Sequence, residues 1–190
     1  MTASNLNTTN QLPALNIRPL TAQDAAPYFS FLLAGLEESP LAFGRSAEEY
    51  RRERLEAVAA GLNEIVGERV TLGAFLEGEL VGAMTLARNP ALKQRHKASI
   101  YAVYVLPAAR GQRVGERLLT TLMNRARAMP GLLQVQLSVS VTQTAARRLY
   151  ASHRFTVYGL ERRALRVNGQ DADEEHMVCF LDGEKQAATK

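Results

Sequence analysis

The spacing of apolar and polar residues divides this chain into stretches of two kinds. From Ile100 to Val105 the run is β-branched and aromatic, and Pro107 closes it, because proline cannot continue a central ladder. That run predicts a buried strand. After a short glycine-containing turn, Val114, Leu118, Leu119, Leu122, Met123 and Ala126 recur at helical spacing. Arg117, Thr120, Thr121, Asn124, Arg125 and Arg127 fall on the other side, so an amphipathic helix follows the strand.

The same reading extends to the rest of the chain. Leu15 to Leu20 suits a short edge strand with Pro19 near its end. Thr21 to Asp24 resembles a helix start, with the helix reaching about Leu36. Glu37 to Gly44 is a loop, and Ser46-Ala47-Glu48-Glu49 is a capping box that opens a second helix through about Ala60. Val70–Leu76 and Leu80–Leu86 flank Glu77-Gly78-Glu79 as a β-hairpin. Beyond Pro130-Gly131, Leu133 to Val139 alternates apolar with polar, a half-buried strand. Thr142 to about His153 reads as a helix. Phe155–Leu165 and Glu175–Leu181 read as two last strands, joined by a turn near Asn168-Gly169. Residues 1–14 and 183–190 read as disordered tails around one domain at 15–182. The fold class is mixed α/β.

Composition narrows the function classes. With 46% hydrophobic and 22% charged residues the chain has the balance of a soluble globular protein, and 190 residues suffice for one sizeable core. The net charge of +4 is spread along the chain, which argues against nucleic acid and suits an anionic ligand. No apolar run has transmembrane length and no signal peptide is visible, so no membrane partner and a cytoplasmic location are expected. Cys179 is the only cysteine and lies in an apolar stretch, which suits a buried thiol rather than a nucleophile. His96, His153 and His176 are scattered, so no metal site is expected.

The turn between strand and helix carries the candidate chemistry. A helix N-terminus presents unpaired N–H groups and the positive end of its dipole. Gly111 and Gly115 let the backbone turn there, and Arg110 and Arg113 add positive charge at the mouth. The residues alone allow two readings, a phosphate site or an ordinary β-turn-α connection with surface arginines.

Val103-Tyr104-Val105, Pro107 and Arg110-Gly111-Gln112-Arg113-Val114-Gly115 resemble the coenzyme A-binding segment of the GNAT superfamily of N-acetyltransferases, Gln/Arg-x-x-Gly-x-Gly/Ala after a strand ending Val-x-Val. Arg113 stands where the family has glycine; at negative φ its N–H still serves, whereas a site that needs positive φ would impair binding. Thr142 to Tyr150 with Phe155 is similar to the family's Asn-x-x-Ala-x-x-Leu-Tyr-x-x-x-Gly-Phe segment, with Thr142 in the asparagine place and Arg154 in that of the glycine. The resemblance covers about Leu15 to Leu181. It implies a mixed, mainly antiparallel sheet splayed at its middle and flanked by about four helices, with acetyl-CoA as co-substrate in the split.

By resemblance, Val103, Tyr104, Val105, Arg110, Gly111, Gln112, Arg113, Val114, Gly115 and Thr142 would bind the coenzyme, and Tyr150 would be the general acid at its sulfur. A backbone N–H at Tyr104 or Val105 would hold the thioester carbonyl. The strand glutamate of some family members is replaced by Ser99, which leaves Glu37 and Glu38 as candidate bases. Phe43, Tyr101 and Tyr158 are candidates for lining the acceptor pocket, with apolar packing as the plainer role. The basic stretch from Arg88 to Lys97 reads as a solvated loop. The partner is an unidentified amine acceptor, and an exposed sheet edge is compatible with a homodimer. The alternative is a non-catalytic coenzyme A-binding or protein-interaction module.

Overall fold

The computed structural model describes residues 15–181. The two predicted tails lie outside the described residues. Seven strands form one sheet in the order β1-β2-β3-β4-β5-β7-β6. They are β1 (Asn16–Pro19), β2 (Arg69–Leu76), β3 (Glu79–Arg88), β4 (Lys97–Val105), β5 (Gln134–Ser140), β6 (Thr156–Val167) and β7 (Gln170–Phe180). Every neighbouring pair is antiparallel except β4–β5. The helices are α1 (Ala25–Glu38), α2 (Ala47–Arg51), α3 (Leu55–Leu62), α4 (Val114–Arg127) and α5 (Thr144–Ser152).

The amphipathic patterns decide which helix covers which face. On one face, Leu118, Leu119 and Leu122 of α4 are fully buried against Val70, Met84 and Ile100. Burying each leucine stabilises by about 1.5–3 kcal/mol. On the other face Phe31, Leu32 and Leu36 of α1 and Leu62 of α3 pack with Ala83 and Tyr104. A Cβ at Gly35 would sit 2.8 Å from the Tyr104 ring, so glycine is what lets α1 lie this close to β4. At its start, Asp24 accepts hydrogen bonds from the Thr21 N–H at 2.8 Å and from both Arg18 η-nitrogens, at 2.7 and 2.8 Å. These donors, Arg18 foremost, pull its carboxyl down to about 2 despite burial.

Three expectations change on contact with the structure. The second helix is two pieces. After Arg51 the N–H groups of Arg52 and Glu53 turn back to Glu49 and Tyr50, and extended Arg54 restarts the helix as α3. Among the described residues the flanking α-helices therefore number five. β7 begins at Gln170 rather than Glu175, because Asn168 and Gly169, at φ +49° and +78°, form a two-residue turn that pairs Val167 directly with Gln170. The basic stretch after β3 is anchored: Arg88 donates to the carbonyls of Arg95 and Pro130, and Arg95 pairs with Glu68.

Candidate active site

The site begins where the sheet comes apart. β4 and β5 pair only from Lys97↔Gln134 to Ser99↔Gln136, and beyond that the two strands diverge. Within β4 the register against β3 slips between Thr85↔Tyr101 and Ala83↔Tyr104, a bulge at which Ala102 takes φ +51°. Past the bulge the Leu106 N–H donates to the Val81 carbonyl at 2.9 Å. Alternation then turns the main-chain groups of Val105 to the opposite edge, into the split. Its carbonyl on that edge accepts from Arg110 Nε at 3.1 Å. Of the two N–H groups expected to be free there, Val105 supplies the one facing the split, while that of Tyr104 faces β3.

Tyr150 enters the split from α5. It is 4% exposed and shares the wall with Ser99, Ala102, Val103 and Ala146. Its hydroxyl has no hydrogen-bond partner among the described residues, and burial pushes its pKa well above that of a free phenol. The group is therefore protonated at any physiological pH. The ring packs on Phe155, with centroids 5.8 Å apart.

The turn before α4 opens on the same groove. Ala42, Phe43, Val103, Gln143 and Ala146 border both the stretch with Tyr150 and the stretch with Arg110, Gly111 and Gly115. Gly111 has φ +77°, and Arg113, at the N-cap of α4, has φ +59°. Among the described residues the main-chain N–H groups from Gly111 to Glu116 have no protein acceptor. Such a run of donors at a helix N-terminus fits a diphosphate. Position 113 therefore does require the left-handed conformation that glycine adopts most easily, and Arg113 adopts it. Its guanidinium pairs with Glu116 at 2.7 Å and faces solvent. Gln112 donates to the Ala108 carbonyl at 3.1 Å.

The structure relocates other expected residues. Thr142 is exposed, and its hydroxyl pairs with that of Ser140 at 2.9 Å. Gln143 lines the groove instead. Counting back from Ala146 and Leu149-Tyr150 along the motif also puts Gln143, an amide like asparagine, in the asparagine place. Glu38 accepts from the Tyr104 hydroxyl and, at 2.8 Å, from Arg110, which hold its carboxyl below the usual range. Glu37 pairs with Arg51 on the surface. Neither candidate base borders the split. A carboxylate that does is Glu174 of β7, raised above its ordinary value by burial and by Glu161, against an opposing effect of His176. No local pattern marks it, since only the Ser140↔Glu174 register brings it there.

A second cavity, of about 390 Å³, adjoins the split under α1, α2 and α3. Phe43, Tyr101 and Ala102 line both spaces, and Tyr158 lines the split. Inside the cavity the Thr71 and Thr85 hydroxyls pair at 2.9 Å. The Tyr50 hydroxyl and Arg69 Nε are buried without partners, each at a cost of about 1–3 kcal/mol.

A family-level comparison matches residues 36–155 to the acetyltransferase (GNAT) family. The chain belongs to that family. By that membership it is an acetyl-CoA-dependent acetyltransferase, and the N–H run and the split are the features of this chain that suit the co-substrate. It is 36% identical over 115 residues to the N-alpha-acetyltransferase RimI of Mycobacterium tuberculosis, a match spanning 60% of this chain and 66% of that protein. Its fold is that of a GNAT-family acetyltransferase from Streptococcus pneumoniae, with a TM-score of 0.81 and 24% identity over 88% of this chain and 99% of the other. It is also that of YncA from Salmonella typhimurium, a putative acetyltransferase solved with its cofactor acetyl-CoA. There the TM-score is 0.74 and the identity 21%, over 93% and 98% of the two chains. Among the described residues no helix is long and apolar enough to cross a membrane.

Proposed function

We propose that this acetyltransferase moves the acetyl group directly from acetyl-CoA to a primary amine, with no covalent enzyme intermediate. The observation that carries the reading is the single groove joining the N–H run of Gly111–Glu116 to the Tyr150 hydroxyl. When bound, acetyl-CoA supplies the acetyl group as a thioester. The N–H run holds the diphosphate, and Gln143 offers its amide to the arm that crosses the groove. The Val105 N–H donates to the thioester oxygen as negative charge develops there.

Tyr150 donates its proton to the departing sulfur as the carbon–sulfur bond breaks. Its burial suits that role, since the phenol carries its proton throughout the working pH range. Glu174 takes the proton that the amine nitrogen loses on forming the new carbon–nitrogen bond, directly or through a water. Cys179 takes no part: it is 2% exposed in β7, and burial raises its thiol pKa. The name of the mycobacterial relative places its own reaction at an α-amino group, which is the same type of nucleophile.

Thiol release measured over a panel of amines tests the proposal. Tyr150→Phe should lower kcat by roughly 10²–10⁴-fold while calorimetry still detects acetyl-CoA binding. Acetyl-CoA binding with no amine turned over, together with indifference to Tyr150→Phe, returns the protein to a coenzyme-binding module.

A further inference from the structure

The cavity beside the split has an unbalanced charge. Of the ionic side chains that line it, Arg45 and Glu53 pair with each other, and Arg45 also lies 5.3 Å from the centre of the Tyr50 ring. Arg69 has no carboxylate partner among the described residues. Among the described residues its one side-chain hydrogen bond runs from Nη2 to the Ala60 carbonyl at 3.3 Å. Its Nε is buried and unpartnered, and so is the hydroxyl of Tyr50, a residue 4% exposed.

A guanidinium can only donate, so whatever completes it must accept. A neutral amide would satisfy the donors and leave the charge unmatched; a planar carboxylate satisfies both. Leu32, Leu36, Val58 and Leu62 make the rest of the cavity apolar. The opening toward Tyr101 and Ala102 leads to the split. In the sheet, Arg69 lies on β2, roughly 10 Å across from β4, level through Ala87 with Ser99 and three residues short of the bulge at Ala102. An ammonium group is repelled by Arg69, so the same residue that holds one end of a ligand turns its amine toward the split.

We propose that this cavity is the acceptor pocket, and that the acceptor is a small molecule with a primary amine and a carboxylate at opposite ends of an apolar body. Arg69 binds the carboxylate, and the Tyr50 hydroxyl donates the second hydrogen bond. The inference rests on the transferase reading above and names the substrate class for it. An amine borne on a peptide surface, with no carboxylate near it, would leave the buried donors as they are.

Two matched pairs of probes test this: ε-aminocaproate against hexylamine, and δ-aminovalerate against pentylamine. Thiol release should give the carboxylate-bearing member of at least the first pair a kcat/KM tenfold or more above its partner. In Arg69→Gln that ratio should fall toward one, and Arg69→Lys should recover part of it. Tyr50→Phe should raise KM for ε-aminocaproate several-fold with a smaller change in kcat. Melting curves like that of the parent protein show that the variants fold.

Turnover of hexylamine without any carboxylate preference, or a preference that survives Arg69→Gln, overturns the pocket and leaves the transferase standing. Should no amine be turned over, calorimetry with ε-aminocaproate decides. Binding that Arg69→Gln abolishes supports the pocket and counts against the transferase reading. No binding of either carboxylate probe overturns the pocket.

Discussion

The two ends of the groove are made from different parts of the polypeptide. At the turn before α4 the donors are main-chain N–H groups of consecutive residues, from Gly111 to Glu116. Apart from the buried Val114, the side chains there face outward or pair locally, as Arg113 does with Glu116. At the cavity the polar groups are side chains, among them Tyr50, Arg69, Thr71 and Thr85 from three separate elements. The first end requires a backbone conformation and tolerates side-chain change, so an arginine can stand where the family has glycine. The second requires particular side chains and has no such tolerance. On the proposed reading, one end would serve the co-substrate common to the family, and the other would be where relatives can diverge.

The sharpest attack on that contrast places a side chain where only backbone should matter. A Cβ at Gly115 would lie 3.3 Å from Leu149, and an aspartate there would add a carboxylate facing the phosphates. Gly115→Asp should weaken acetyl-CoA binding about 100-fold in a calorimetric titration, or about 2.7 kcal/mol. Gly111→Asp, where no atom stands within 4 Å of a Cβ but φ is +77°, should cost about tenfold through charge and left-handed strain together. Unchanged affinity in both would sink the placement of the diphosphate.

The cavity end depends on where α1 sits, and acid should loosen it. The Asp24 carboxyl lies at about 2 when folded, below its ordinary value of 3.8. A depressed carboxylate contributes stability above the unfolded pKa and loses it as pH falls through the folded one. With Arg18 partly exposed, the contribution is about 1–2 kcal/mol, present above pH ~4 and gone near pH 2. Denaturant titrations across that window should show the loss in the parent protein and little of it in Asp24→Asn.

Glu38 ties the end of α1 to the turn side, since it accepts from Arg110 and from Tyr104, which both line that stretch. Glu38→Gln should shift the apparent acetyl-CoA affinity by roughly two- to fivefold, in line with an exposed ion pair. The smallest effect expected is at Arg154, which has φ +67° just after α5. Arg154→Gly removes left-handed strain and adds unfolded-state freedom, for a net gain of about 0.5 kcal/mol by chemical denaturation. Arg113→Gly sharpens the contrast directly. If the site is made by backbone, coenzyme affinity is retained within about threefold; a larger loss makes the guanidinium a ligand.

The contrast also explains what could be read from the chain beforehand. The strand-turn-helix from Ile100 to Arg127 was legible because local patterning, turn residues and burial agree there. So was the hairpin, whose Glu77 and Gly78 both take positive φ in a two-residue turn. The break between α2 and α3 was not, since Ser46 to Ala60 carries no proline or glycine, and Arg54, where the backbone turns extended, is no local breaker. Glu174 and Arg69 were illegible for a related reason. Each gains its surroundings only from strand register, with partners tens of residues away, and neither belongs to a local motif. Gln143 could have been found by counting along the Ala146 and Leu149-Tyr150 pattern.

Only three rungs, Lys97 to Ser99 against Gln134 to Gln136, join the two halves of the sheet. Mechanically the molecule is a pair of plates sharing a short seam, and a ligand lying along the gap does the work of the missing rungs. Amide deuterium uptake in the far halves of β4 and β5 should therefore slow when acetyl-CoA is bound, although few of those amides touch it. Occupancy of the groove becomes a determinant of how stiff the whole protein is.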